Sequence, residues 1–381
     1  MNNLQAYNEL ILHLTLVPGV GPATIKIIIQ GLSVQALLNL YRFQVTDFVQ
    51  LGLTYDRATK LVAGLQDRSL LDTELELIAK YNIGWCVLGS PEYSQLLSNI
   101  EQPPAVIYYQ GSNLFDTDTT IAFVGSRKAD AYGRVVVDTL VPSLVQHNWV
   151  IVSGGALGID SFVHDITVKS GGKTIVVLGS GLLHWYPASN SGLFNKVIQA
   201  GGMIVSCFPL QTKPIAANFP ARNRIIAGLS QGTVVVQAAR KSGALITSDF
   251  AVEQGRQVFA VPGSIEYGLH DGCHYLIQQG AKLVTCVDDI LVEFGYSTTQ
   301  SLQHQQGDVQ EQMLLPIHES ADVQELSSDA KLILNKLLVA TSTDDLLSKL
   351  DLSLEDLMQQ LFDLSLQGKI SQDIMGLWKR I

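Results

Sequence analysis

The hydrophobic pattern changes character at about residue 84. Before that point, apolar side chains recur every three or four positions, as in residues 10–16, 25–29 and 71–78, which is the spacing of an amphipathic helix. After it, short continuous apolar runs alternate with amphipathic segments. The runs are residues 121–124, 150–152, 175–178, 203–205, 234–236 and 258–261. This alternation predicts an α/β protein with an extended Rossmann-like core over residues 84–296, in which helices cover both faces of a parallel sheet.

Residues 1–83 are predicted to form a helical domain of the SAM or helix-hairpin-helix type. Residues 17–22 read Val-Pro-Gly-Val-Gly-Pro, which makes a tight link, and Pro22 suits the first turn of the following helix. The exposed start of such a helix can hold a DNA phosphate. A purely structural turn is the alternative, because no positive charge precedes Lys26.

The end of the chain is predicted to hold a second small domain behind a linker. Residues 297–328 are polar and rich in glutamine, which indicates a linker. Residues 329–381 read as three short helices and a hairpin, which together predict a winged helix. Seven acidic and six basic side chains in residues 331–381 do not favour tight DNA binding, so a protein contact or a vestigial role is an equal alternative.

Charge is unevenly distributed along the chain. The net charge of −10 argues against a protein that coats DNA indiscriminately, because a negative surface repels phosphate. Residues 213–256, however, hold six Lys or Arg against two acids, so an anion is expected to bind there. The four cysteines contain no CxxC pair, and the sequence shows neither a signal peptide nor a long uncharged apolar run. These features predict a cytoplasmic protein without a membrane span or a metal site.

Glycine-rich turns follow several of the predicted strands. Glycine lets a phosphate approach the backbone closely, and the N–H groups at a helix start attract an anion. One turn nearly matches the dinucleotide fingerprint, but Ser153 stands where its first glycine belongs, so no cofactor is expected. The candidate phosphate-binding residues in these turns are Gly125, Ser126 and Arg127, then Ser153, Gly154, Gly155 and Gly158, and finally Gly179 and Ser180.

A further group of candidates combines positive charge with an aromatic ring. Phe219, Arg222, Asn223 and Arg224 stand at a predicted helix start, where the ring can stack on a base and the cations can meet phosphates. The alternative is that Phe219 belongs to the core and that one arginine pairs with an internal carboxylate. Another turn that suits an anion contains Lys241, Ser242 and Gly243. No catalytic residue is predicted, since Asp160 at a helix start is explained by capping.

Taken in order, these motifs resemble the signatures of the DprA (Smf) family. The resemblance implies a Rossmann-like protein that dimerises, binds single-stranded DNA and helps to load the RecA recombinase during natural transformation. It also implies that Arg127 and the amides of Gly125, Gly154 and Gly155 contact phosphates, with the other arginines lining the groove or fixing its shape. The matching segments are residues 124–127, 153–160, 219–230, 242–247 and 255–263.

Two positions depart from the family pattern, and two other functions remain as alternatives. Cys207 and Gln237 stand where the family usually has glutamates, which makes the groove less negative. One alternative is an enzyme similar to the phosphoribohydrolases, but the chain lacks their glutamate and their Pro-Gly-Gly-x-Gly-Thr loop. The other is a sensor of small nucleotides. We therefore expect a DNA-binding protein that is not an enzyme.

Overall fold

A parallel sheet forms the centre of the protein. The computed structural model describes residues 3–117, 119–296, 328–337, 341, 343–350, 352–366, 369–372 and 378–380. Their central strands are β1 (Gly84–Val87), β2 (Val106–Gly111), β3 (Thr120–Gly125), β4 (Val150–Ser153), β5 (Thr174–Val177), β6 (Met203–Ser206), β7 (Gly232–Gln237), β8 (Gln257–Ala260) and β9 (Lys282–Leu283). Within the described residues they form one nine-stranded sheet in the order β1-β2-β6-β5-β4-β3-β7-β8-β9.

The strand order has a reversal point next to β3. Strands β4, β5 and β6 follow β3 successively on one side, whereas β7, β8 and β9 lie on the other side, and all seven strands are parallel. The first two strands extend the β6 edge in antiparallel fashion. The predicted fold class is confirmed. In open sheets of this type, ligands bind beyond the carboxyl ends of the strands where the order reverses, here between β3 and β7.

The strands are buried on both faces, as their continuous apolar runs predict. Along β3, Ile121 and Phe123 join one hydrophobic cluster, whereas Ala122 and Val124 join another on the opposite face.

The helices around the sheet and before it are α1 (Asn3–Leu16), α2 (Pro22–Gly31), α3 (Val34–Leu38), α4 (Val45–Gln50), α5 (Tyr55–Gln66), α6 (Ser69–Lys80), α7 (Gln95–Ser98), α8 (Ala131–Gln146), α9 (Ile159–Lys169), α10 (Ser191–Gln199), α11 (Asn218–Gly228), α12 (Gly243–Glu253), α13 (Asp271–Gln278) and α14 (Asp288–Leu291).

The N-terminal helices share a core with the sheet. One cluster of buried residues runs from α1, α2 and α5 to β2, β5 and β6, and it includes Leu10, Leu61, Tyr108 and Ile204. Glu74 of α6 is buried in this interface, where its carboxylate accepts a hydrogen bond of 2.8 Å from the backbone N–H of Leu210. Burial raises the pKa of Glu74. A domain boundary near residue 83 stays a prediction, but the hydrophobic packing is continuous across it.

The predicted tight link between the first two helices is present. The backbone N–H of Val20 donates to the carbonyl oxygen of Val17 over 3.1 Å, and Gly19 has a φ of +83° that glycine adopts without strain. The α2 helix begins at Pro22 as expected. Lys26 donates from Nζ to the carbonyl oxygen of Glu101 over 2.8 Å. This lysine therefore ties α2 to the core.

The described residues form two compact units, one within Met1–Gly307 and one within Asp308–Ile381. The second contains α15 (Ser328–Lys336), α16 (Thr343–Lys349), α17 (Leu354–Leu366) and an antiparallel pair, β10 (Ile370–Gln372) with β11 (Trp378–Arg380), around its own apolar core. A winged helix stays a prediction for this unit. The predicted linker, residues 297–328, lies outside the described residues except for Ser328. None of the described helices has the length and apolar character to cross a membrane.

Candidate nucleic-acid interface

A cleft of about 550 Å³ opens where the strand order reverses. It lies beyond the carboxyl ends of β3, β4 and β7, between the amino ends of α9, α11 and α12. The predicted candidates that line it are Gly125, Ser126, Arg127, Phe219, Arg222, Asn223, Lys241, Ser242 and Gly243. Three glycine-rich or basic segments that are distant in sequence therefore meet at one site.

The turn after β3 presents an exposed arginine to the cleft. Its backbone is fixed by the neighbouring strand, since the N–H of Ser126 donates to the carbonyl oxygen of Gln237 over 2.7 Å. A Cβ at Gly125 would lie 3.1 Å from the same oxygen and closer still to Ile159, so glycine is needed there. Arg127 is exposed, and its guanidinium lies 5.4 Å from the ring centroid of Phe219. This arginine is free to contact a phosphate.

The turn after β4 is joined to the turn after β3. Gly158 has a φ of +78°, and a Cβ there would lie 2.2 Å from the carbonyl oxygen of Ser126. The next residue, Ile159, donates its backbone N–H to that oxygen over 3.1 Å. Gly158 therefore permits the close approach of the two turns. Its predicted role in phosphate binding stays a prediction beside this structural role.

The amides of the β4 turn point to a carboxylate of the protein itself. Asp160 accepts a hydrogen bond of 3.2 Å from the N–H of Ala156, and the N–H of Gly154 also favours its charged form. Burial raises the pKa of Asp160, against the opposing charge of Arg222. Asp160 therefore accepts hydrogen bonds from this turn in the absence of a ligand, and the predicted phosphate contacts of the Gly154 and Gly155 amides stay predictions.

Both glycines of that turn make room for protein side chains. A Cβ at Gly154 would lie 1.2 Å from Nη1 of Arg222, and one at Gly155 would lie 2.8 Å from the ring of Phe194. Gly155 also has a φ of +68°. Internal packing therefore requires glycine at both positions.

Arg222 is a buried cation with few partners. The residue is only 4% exposed, yet it also lines the cleft. Its Nη1 lies 3.9 Å from Oδ2 of Asp160 and 3.5 Å from the carbonyl oxygen of Val177, and its Nε has no hydrogen-bond partner among the described residues. Burial lowers the pKa of Arg222, which Asp160 opposes. An anion in the cleft would supply the hydrogen bonds that this guanidinium lacks.

Phe219 lies between the two arginines. The guanidinium of Arg222 is 5.6 Å from its ring centroid, close to the 5.4 Å of Arg127. Tyr186 meets the same ring edge-on at a centroid distance of 5.9 Å. A smaller pocket of about 80 Å³ adjoins the cleft at these residues. Cationic groups and aromatic rings are thus close enough to hold a phosphate and a base together.

The turn after β7 forms the opposite wall. Lys241 is exposed there, and Ser242 caps α12 by accepting a hydrogen bond of 3.2 Å from the N–H of Ala244. Asn223 donates from its side chain to the carbonyl oxygen of Gly243 over 3.3 Å. Asn223 therefore links α11 to this wall, and Lys241 supplies the wall's charge.

Four other predicted candidates lie away from the cleft. Ser153 is fully buried and donates to the carbonyl oxygen of Phe123, and Ser180 donates to the carbonyl oxygen of His184. A Cβ at Gly179 would lie 3.1 Å from the ring of Phe219, so that ring covers it. Arg224 donates to Oε1 of Gln102 over 2.9 Å and lines a separate cavity. Each of these four residues already contacts a protein group, and their part in DNA binding stays a prediction.

One residue that shapes the site was not anticipated. Asn190 is buried, and its Nδ2 donates to the carbonyl oxygen of Gly155 and to the hydroxyl of Ser161, both over 2.9 Å. It thereby holds the β4 turn from the far side. The run Tyr186-Pro187 before a short helical turn marks an ordered loop, but nothing in the local sequence indicates which turn the asparagine contacts.

Comparison with known proteins decides the family. A model of the family described as DNA recombination-mediator protein A matches residues 85–295, more than half of the chain. The chain belongs to this family. Among curated members, the DNA processing protein DprA of Streptococcus pneumoniae is 44% identical over 200 residues, which cover 52% of this chain and 70% of that protein. Its Bacillus subtilis counterpart is 44% identical over 207 residues, 54% of this chain and 69% of that protein.

Solved DprA structures share the fold. The X-ray structure from Streptococcus pneumoniae aligns with 78% of this chain and 99% of its own at 33% identity and a TM-score of 0.65. The Helicobacter pylori structure, described as showing a single-stranded DNA binding mode, aligns with 55% of this chain and 95% of its own, at 27% identity and a TM-score of 0.50. The predicted DprA (Smf) resemblance is therefore confirmed.

Proposed function

We propose that this chain binds single-stranded DNA in the cleft beyond β3, β4 and β7. The observation that carries the proposal is the arrangement of Arg127 and Arg222 around the ring of Phe219. Cations bind the backbone of a strand irrespective of its sequence, and an aromatic ring accepts any base. The name of the Helicobacter pylori relative, which refers to single-stranded DNA, supports the same reading.

A strand fits the charge distribution better than a single nucleotide does. Beyond Arg127 and Arg222, the exposed Lys128 and Lys241 extend the positive surface away from the centre of the cleft. A sensor of small nucleotides would need only one phosphate site. Competition between an oligonucleotide and mononucleotides tests the choice. We expect the oligonucleotide to bind more tightly by on the order of a hundredfold, because it makes several phosphate and stacking contacts. Equal affinity would favour the sensor.

The proposal assigns no catalytic step to this site. Among the described residues that line the cleft, Asp160 is the one acid, and it is bonded to the β4 turn beside Arg222. Hydrolysis in the manner of a phosphoribohydrolase needs a carboxylate that can reach substrate. Incubation with nucleoside monophosphates tests this directly. Release of free base that depends on Asp160 would restore the enzyme alternative.

We further propose that the protein acts in the cytoplasm as a dimer that helps to load RecA onto the bound strand. The surface around residues 256–285 supports a dimer contact, because Ile265 is 86% exposed and Leu283 is 42% exposed on the short edge strand β9. Burying such side chains in an interface is favourable. Light scattering tests it: Ile265→Asp should give monomers. A wild-type protein that is monomeric at micromolar concentration would remove the dimer from the proposal.

A further inference from the structure

A second cation–aromatic pair lies on the rim of the cleft. The guanidinium carbon of Arg240 is 3.5 Å from the ring centroid of Tyr275, which is van der Waals contact. The guanidinium therefore covers the ring with one face. Arg240 is exposed and Tyr275 is half-buried. The outer face of the guanidinium is consequently open to solvent.

The position of this pair continues the path of the cleft. Arg240 stands between Ala239 and Lys241, both of which line the cleft. Tyr275 belongs to α13, the helix that comes after β8, and β8 is the next strand after β7 in the sheet. The Arg240–Tyr275 pair therefore lies where the cleft borders the β8 side of the sheet.

The charge of Arg240 is not neutralised by a neighbouring acid. Across the described part of the chain, no carboxylate lies within ion-pair distance of its guanidinium. Asp271, one turn before Tyr275 on α13, is exposed and is not bonded to Arg240. Arg134, by contrast, lies over the ring of Phe162 but pairs with Asp138 and Asp165. Arg240 is thus available to an anionic ligand.

We propose that Arg240 and Tyr275 form a second nucleotide subsite, at which a base of the strand stacks on the open face of the guanidinium. This inference rests on the proposed binding of single-stranded DNA in the cleft. Tyr275 holds the guanidinium flat, and Lys241 faces the phosphate that joins the two subsites. Stacking of this kind accepts any base, because every base has a π face. The subsite therefore adds affinity without adding sequence preference.

Affinity as a function of oligonucleotide length tests the subsite. The full chain is titrated with oligothymidylates of about four and about sixteen nucleotides, the limits of common site sizes. Arg240→Ala should lose about tenfold in affinity for the longer strand, the effect expected for one stacked base, and should bind the shorter strand unchanged. Tyr275→Phe keeps the ring and should bind the longer strand as wild type does, whereas Tyr275→Leu should resemble Arg240→Ala.

The remaining outcomes separate this subsite from the cleft and from a dimer contact. Equal losses at both lengths, or no loss, would overturn the subsite. Failure of the wild-type chain to bind either strand would overturn the proposed function itself. Light scattering on the same samples identifies a change in oligomeric state. If Arg240→Ala gives monomers whose affinity for the longer strand is undiminished, Arg240 belongs to an interface and the inference is wrong.

Discussion

The carboxyl edge of the sheet has an open half and a filled half. After β3 and β7, the turns leave Arg127 and Lys241 exposed on the cleft. After β5 and β6, the turns are occupied by the protein: the ring of Phe219 covers Gly179, and the carbonyl oxygens of Pro209 and Leu210 lie against Gly181. The turn after β4 is intermediate. Asp160 accepts a hydrogen bond from the N–H of Ala156 in this turn, and the guanidinium of Arg222 lies against Gly154.

This difference shows what a glycine-rich turn does and does not indicate. Neighbouring chain segments approach the glycines of the filled half closely, and they also approach Gly125 in the open half, whereas a Cβ at Gly243 would meet nothing within 4 Å. A ligand can bind only at a turn whose surroundings are not already occupied by other parts of the protein. The side chains that distinguish the halves are the basic ones at the open turns.

The largest loss of stability is expected from Arg222→Met, at the boundary between the open half and the filled half. Removing one partner of a buried ion pair leaves Asp160 uncompensated, which typically lowers the free energy of unfolding by about 3–5 kcal/mol. Arg224→Met is the matched control, because Arg224 is two residues away and less buried, so its loss should be about 1 kcal/mol or less. Urea unfolding measures both. Equal losses of stability in the two variants would show that the pairing of Arg222 with Asp160 does not stabilise the fold.

The same pair gives a pH dependence. Burial raises the pKa of Asp160 in the folded state, so the folded protein binds a proton more tightly than the unfolded chain. Stability is therefore lost as pH rises from the ordinary aspartate pKa through the raised folded value. In Arg222→Met this loss should be larger, because the charge of Arg222 no longer opposes the effect of burial on the pKa of Asp160. Unfolding measured at several pH values should show a steeper decline than in wild type. If stability declines equally steeply in wild type and in Arg222→Met, Asp160 is in contact with water and Arg222 does not control its pKa.

The open half is tested by Lys241→Ala. An exposed lysine that contacts one phosphate contributes modestly, so affinity for a single strand should fall several-fold while the melting temperature stays unchanged. Lys173→Ala is the matched control, because Lys173 is also exposed but precedes β5 at the opposite edge of the sheet. If the two variants lose the same affinity, the charge of the protein as a whole rather than the cleft guides the strand.

The smallest change in stability and DNA binding is expected from Ser180→Ala, in the filled half. The hydroxyl donates to the carbonyl oxygen of His184 in a buried turn. Losing it should lower the free energy of unfolding by about 1 kcal/mol and leave DNA affinity unchanged. Calorimetry and a binding titration on one sample give both values. Weaker DNA binding by a variant of normal stability would return Ser180 to the binding site.

Much of the fold, but less of the site, could be predicted from the sequence. The apolar runs of β3–β8 each correspond to a strand, because a strand buried on both faces needs a continuous apolar sequence. The sequence did not show that Arg222 is buried and Arg224 is not, since both lie within α11 and only tertiary packing distinguishes their directions. Asn190 was missed for the same reason: its partners are about 30 residues away.

The salt dependence of DNA binding by Arg127→Ala tests whether the cleft binds a single strand. If the cleft holds the strand, each phosphate contact contributes about −0.7 to the slope of log affinity against log salt. Wild type should then show a slope of roughly −3 for about four contacts, and Arg127→Ala should be shallower by about 0.7 at an unchanged melting temperature. Arg224→Ala, outside the cleft, should keep the wild-type slope. An unchanged slope in Arg127→Ala, or an equal change in both variants, would contradict single-strand binding in this cleft.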